Sequence, residues 1–148
     1  MVDRKSETRD DYPYRLDIQT RWMDNDVYGH VNNVIYYSYF DTVVNRYLID
    51  SGVLDIHDGA VIGLVVATSC TYFSSLAFPD RVTAGLRVVH MGSSSVRYEV
   101  ALFRNDDTHP AAAGEFTHVY VERATMRPTP LPADLRARLE AIRSPIRC

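Results

Sequence analysis

Between Asn32 and Ile49 the residues Ile35, Tyr36, Tyr39, Phe40, Val43, Val44, Tyr47 and Leu48 recur at spacings of three and four, and Val34 and Tyr37 widen the stripe. That periodicity is helical, and a stripe this wide marks a helix buried on several sides rather than laid on a flat surface. Ser51-Gly52 ends it, because glycine enters the left-handed conformation at a helix C-terminus at little cost. Such a helix needs a partner that curves round it.

Strands supply that partner. Tyr14, Leu16, Ile18, Thr20 and Trp22 alternate with Arg15, Asp17, Gln19 and Arg21, the period of two of a half-buried strand. After the polar stretch DIHDGA, the β-branched run Val61 to Phe73 reads as a long central strand. Val82, Ala84, Leu86 and Val88 alternate with Arg81, Thr83 and Arg87 in a third. A turn at Met91–Ser94 leads to a fourth strand carrying Val96, Tyr98, Val100 and Leu102. The polar tip from Arg104 to Pro110 closes the next hairpin, Ala113 to Glu122 makes a fifth strand, and Pro132 to Ile142 a short helix. The expected class is α+β, a curved antiparallel sheet of about five strands wrapped round one long central helix.

With 148 residues and 46% apolar content the chain can bury one core without staples, and a single domain over 13–148 is expected. Residues 1–12 are charged and read as a mobile arm. A formal charge of −3 argues against a nucleic-acid footprint. The longest apolar run, Val61 to Thr68, falls short of the roughly 20 residues of a membrane helix. Cys70 lies in a strand and Cys148 at the last position, so no disulfide framework is expected, and a cytoplasmic location fits reduced thiols. The five histidines, His30, His57, His90, His109 and His118, are scattered with no paired spacing, so neither a metal nor a cofactor is expected.

Chemistry concentrates in RWMDNDVYGHVNNVIYYSYFD, Arg21 to Asp41. Asp24 and Asp26 precede a turn at Tyr28-Gly29, and backbone amides beyond the glycine lie where a carbonyl can be polarised. Taken alone, Asp26 also reads as a cap, Asp24 as an anchor for Arg21, and Asn32 and Asn33 as N-caps. His30 is either an acid–base group or a packing residue. Tyr36, Tyr37 and Tyr39 are core residues by spacing before they are walls of an acyl pocket. Ser93, Ser94 and Ser95 lack the surroundings of a nucleophile elbow.

The block Arg21-Trp22, Asp24, Asp26, Gly29-His30-Val31-Asn32-Asn33, Tyr36 and Tyr39-Phe40-Asp41 resembles the hot-dog-fold acyl-CoA thioesterases of the 4-hydroxybenzoyl-CoA thioesterase type. The likeness extends more loosely through the Ser74–Asp80 loop and the Gly92–Val96 turn. It implies that Asp26 is the catalytic carboxylate, as base or nucleophile, with Asp24 its less exposed companion. It also implies that amides around Val31 to Asn33 polarise the thioester carbonyl, because a helix N-terminus holds unpaired donors and the positive end of the dipole. Gly29, His30 and Asn33 join Asp26 as catalytic candidates. Asp24, Val31, Asn32, Tyr36, Arg87, Ser94 and Arg97 are candidates for binding substrate, with Arg87, His90, Arg97 and the serine turn near the CoA phosphates. The implied activity is hydrolysis of an acyl-CoA by a homodimer or homotetramer. A non-catalytic acyl-CoA sensor and a hot-dog dehydratase or hydratase are the alternatives. Where many relatives carry a helix glutamate followed by arginine three residues on, this chain has Asp41 followed by Thr42, Val43 and Val44.

Overall fold

The computed structural model describes residues 3–55 and 59–144, so His57 and Cys148 lie outside the described residues. The elements are β1 (Tyr14–Gln19), α1 (Asn33–Asp50), β2 (Val61–Tyr72), β3 (Arg81–Met91), β4 (Ser95–Arg104), β5 (Ala112–Glu122) and α2 (Ala133–Glu140). All neighbouring strands pair antiparallel in the order β1-β3-β4-β5-β2, a curved five-stranded sheet packed on one helix, which is the hot-dog arrangement.

Tyr36, Tyr39, Phe40, Val43, Val44, Tyr47 and Leu48 form the buried arc of α1. They share one apolar cluster with Val82, Ala84, Leu86 and Val88 of β3, Val96, Tyr98, Val100 and Leu102 of β4, and Phe116 and Tyr120 of β5. Burying each such side chain is worth about 1.5–3 kcal/mol, so the helix is held by this face and not by its intrinsic propensity. Val34 does not widen the stripe: it is 61% exposed, on a solvent face with Ser38, Asp41 and Thr42. Gly52 takes φ 75° just beyond the C-cap Ser51, as its place in the sequence requires.

Three expectations change. The first strand ends at Gln19, because a 3-10 turn over Trp22–Asp24 rotates the chain and leaves Trp22 exposed instead of facing the core. The apolar run of β2 belongs to an edge strand, not a central one. A β-branched run has the same composition whether a neighbouring strand covers it in this chain or a second chain does, and here Val65 and Val66 stand about half exposed.

Residues 3–12 of the charged arm, expected to be mobile, instead lie folded on the outer face of the sheet. Tyr12 is wholly buried against Gly85, whose absent Cβ would fall 2.7 Å from the Tyr12 ring. Arg4 donates to the Val100 and Gly114 carbonyls and to the Tyr12 hydroxyl. Glu7, 3% exposed, accepts from Tyr12 and pairs with Arg87. Burial opposes the Glu7 charge, but bonds from Tyr12 and Arg87 and the charges of Arg87 and Arg4 outweigh it and hold its carboxyl below the usual range. Charge density here reflects a buried network rather than a solvated tail.

Candidate active site

The loop from β1 to α1 is anchored by Asp24, which has no exposed surface. Its carboxylate accepts the Arg21 amide at 2.8 Å, the Arg21 guanidinium at 3.0 and 3.2 Å, and the Tyr39 hydroxyl at 2.8 Å. Burial would raise the Asp24 pKa, yet the bonds from Arg21 and Tyr39 together with the Arg21 charge pull it below the ordinary carboxylate value. The same bond to Asp24, after burial, pushes the Tyr39 phenol well up. Asp24 is therefore an internal strut with its lone pairs engaged, not a group that meets substrate.

Asp26 lies one turn further, half-buried, at the head of a tight loop. Its Oδ1 accepts the Tyr28 amide at 2.8 Å and, more weakly, the His30 amide at 3.5 Å. Its own amide donates to the His30 carbonyl, and the Gly29 amide donates to the Asp26 carbonyl. Gly29 adopts φ 77°, a conformation that strains any residue with a Cβ, and this lets the loop reverse in four residues. One carboxylate oxygen thus fixes the turn, while Oδ2 has no protein partner among the described residues. Val27 and Tyr28 project outward at 93% and 82% exposure.

Beyond the loop the chain enters α1, and its donors are spent one after another. The Val31 amide binds the Leu76 carbonyl at 2.7 Å and the Asn32 amide the Asp24 carbonyl at 2.9 Å. Asn32 is the N-cap: its side chain takes the Val34 amide at 3.2 Å and its carbonyl the Ile35 amide at 2.9 Å. The amide of Asn33 alone in this series has no protein acceptor among the described residues. Of the three amides expected to polarise a carbonyl, two are consumed by the fold and one is open.

A cleft of about 450 Å³ lies at this point, lined by His30, Val31, Asn33, Tyr36, Tyr72, Phe73, Ser74 and Ser75. His30, Asn33 and Tyr36 are thereby brought together. Asp26 stands at the rim through its backbone bond to His30 and does not itself line the cleft. Arg87 is not with them. It is buried on the opposite face of the sheet between Glu7 and Glu99, with its guanidinium 4.4 Å over the Tyr12 ring, so it has no path to a CoA phosphate. Ser94 sits at the β3–β4 turn and the exposed Arg97 near the start of β4, both outside the cleft of this chain.

The sequence did not mark Tyr72, Phe73, Ser74 and Ser75 as site residues; they run from the last residue of β2 into the loop beyond it and form one wall. Nor did it mark the Leu76 carbonyl that spends the Val31 amide. The Tyr72 hydroxyl donates to the Asn33 carbonyl at 3.2 Å, and its ring meets Tyr36 edge-on at 4.8 Å. The one signal available was the abrupt change from an apolar strand to Ser74-Ser75.

The chain matches the family described as Thioesterase-like superfamily over residues 20–139. The PA5185 protein of Pseudomonas aeruginosa is 54% identical, covers 93% of this chain and 96% of its own, and superposes with a TM-score of 0.91. The PA2801 protein of the same organism is 30% identical over 85% of this chain and 97% of its own, with a TM-score of 0.80. A thioesterase from Thermus thermophilus, crystallised with coenzyme A and zinc, is 31% identical over 88% of this chain and 95% of its own, with a TM-score of 0.74. No curated protein matches the chain.

Proposed function

The chain belongs to the thioesterase-like superfamily, and we propose that it hydrolyses the thioester bond of an acyl-CoA to a free acid and coenzyme A. The observation that carries this reading is the open amide of Asn33 at the first turn of α1, one short loop away from a carboxylate oxygen of Asp26 that has no protein partner among the described residues. As the carbonyl carbon is attacked, negative charge gathers on its oxygen. An unspent amide at the positive end of a helix favours that charge more than it favours the ground state. Asp26 Oδ2 either takes the proton of an attacking water or attacks the carbon itself, giving a mixed anhydride that water then opens. In both routes the thiolate of coenzyme A leaves. His30 and Tyr36 border the reacting group, and Gly29 sets the turn that aims Asp26.

Incubation with a panel of acyl-CoAs, with free thiol followed by a chromogenic disulfide, tests the reading. Thiol release is expected, falling roughly a hundredfold or more in Asp26→Asn. Unchanged release in that variant removes Asp26 from the mechanism, and binding without release from any acyl-CoA makes the protein a sensor.

The active unit contains more than one copy. The outer edge of β2, with Val65 and Val66 exposed, pairs with no other strand among the described residues and is suited to a second β2 across a two-fold axis. A neighbouring copy then supplies Ser94 and Arg97 to the nucleotide portion, since neither reaches the cleft of its own chain. Sedimentation at micromolar concentration is expected to give a dimer or tetramer; a monomer contradicts this assembly.

A further inference from the structure

Tyr72 ends β2, and its hydroxyl takes the second lone pair of the Asn33 carbonyl, at the first residue of α1. Asn33 is also the residue whose amide is open. The two peptide groups flanking its Cα therefore play different parts: the N–H of one has no protein acceptor among the described residues, while the carbonyl of the other is tied to the sheet. On the N-terminal side, Val31 and Asn32 are already fixed by the Leu76 and Asp24 carbonyls. On the C-terminal side, Tyr72 provides the only side-chain bond from the sheet to this turn among the described residues. Its ring, 44% exposed, meets buried Tyr36 edge-on at 4.8 Å, and that contact braces one side of the ring that presents the hydroxyl.

We propose that Tyr72 is a positioning residue for the thioesterase reaction, tethering the first turn of α1 to the end of β2 so that the Asn33 amide points into the cleft at the carbonyl oxygen. The inference rests on the hydrolase reading given above. Burial, with Cys70, Tyr37 and Tyr36 nearby, raises the Tyr72 phenol, so it remains a donor across the neutral range. The role requires a hydroxyl at the end of a rigid ring. Phenylalanine preserves the wall of the cleft and loses the tether, whereas leucine loses both.

The test compares the wild type, Tyr72→Phe, Tyr72→Leu and Asp26→Asn on one acyl-CoA, with amide hydrogen exchange over residues 33–37 measured in parallel. Tyr72→Phe is expected to lower kcat about three- to tenfold with KM unchanged, the size of one lost hydrogen bond acting in the transition state. Exchange over 33–37 is expected to quicken in the same variant, while its melting temperature stays near that of the wild type. Tyr72→Leu is expected to raise KM as well. A Tyr72→Phe enzyme with wild-type kcat, or one with reduced kcat and unaltered exchange, overturns the proposal. Absence of thiol release from the wild type overturns the hydrolase reading separately, and the exchange measurement, which needs no turnover, still decides whether Tyr72 holds the turn.

Discussion

The Asp24 carbonyl accepts the Asn32 amide at 2.9 Å, so the residue whose carboxylate locks the loop to Arg21 and Tyr39 also consumes the helix donor next to the open one. Among the described residues the start of α1 is thereby pared down to a single available N–H. A polarising site built this way has one direction, set by backbone, and it invites a backbone test.

Asn33 is the first residue of the helix, where proline is well tolerated, and the preceding Asn32, at φ −59° and ψ 138°, already has the conformation that a following proline demands. Asn33→Pro deletes an amide that makes no bond to the protein among the described residues. It is expected to leave the melting temperature nearly unchanged and to lower kcat on the order of a hundred- to a thousandfold. Asn33→Ala keeps the amide and is expected to stay within a few-fold of the wild type. Equal turnover in the two variants places the carbonyl elsewhere.

Arg87 separates a structural from a ligand-binding role. Its side chain is 5% exposed and shared between Glu7 and Glu99. Arg87→Ala strands two carboxylates, one of them deeply buried, and is expected to cost about 3–5 kcal/mol in urea unfolding. KM for acyl-CoA is expected to hold in the fraction that remains folded. A large rise in KM with little loss of stability returns Arg87 to the nucleotide site.

His118 predicts an acid limb. It is 3% exposed among the rings of Tyr98, Phe116 and Tyr120, and neither ring nitrogen has a hydrogen-bond partner among the described residues. Burial pulls its pKa down from 6.5 to about 4. Between those values the unfolded chain binds the proton and the folded chain does not, so this group's contribution to stability falls as pH drops through the window. The slope approaches about 1.4 kcal/mol per pH unit and sums to about 3 kcal/mol. His118→Phe is expected to flatten the denaturation profile between pH 6.5 and 4; an unchanged slope assigns it to other groups.

Local patterns carried much of the fold. The period of two in Tyr14–Ile18 and Val82–Val88, the cap at Asn32 and the glycine at 52 are interactions within a few residues, and each is where the periodicity puts it. What could not be read depends on partners far along the chain. Glu7 looked like part of a solvated arm because Arg87 is 80 residues away. The run Val61–Tyr72 looked central because composition does not say which strand lies on either side. At the site, the Asp-x-Asp spacing is visible, but only the Tyr39 and Arg21 contacts show that Asp24 is wholly enclosed, and only the Leu76 and Asp24 carbonyls show which amide is left. Tyr72 went unread because its acceptor is a main-chain carbonyl 39 residues earlier, which has no signature in side-chain identity.

The docked arm also bears on the order in which the molecule is made. Arg4 finds its carbonyl acceptors 96 and 110 residues downstream, on β4 and β5. This segment, made before those two strands, therefore has nowhere to settle until they have left the ribosome and paired. Until then Tyr12 and a cluster of charges travel uncovered, and closing them over Arg87 completes the outer face of the sheet.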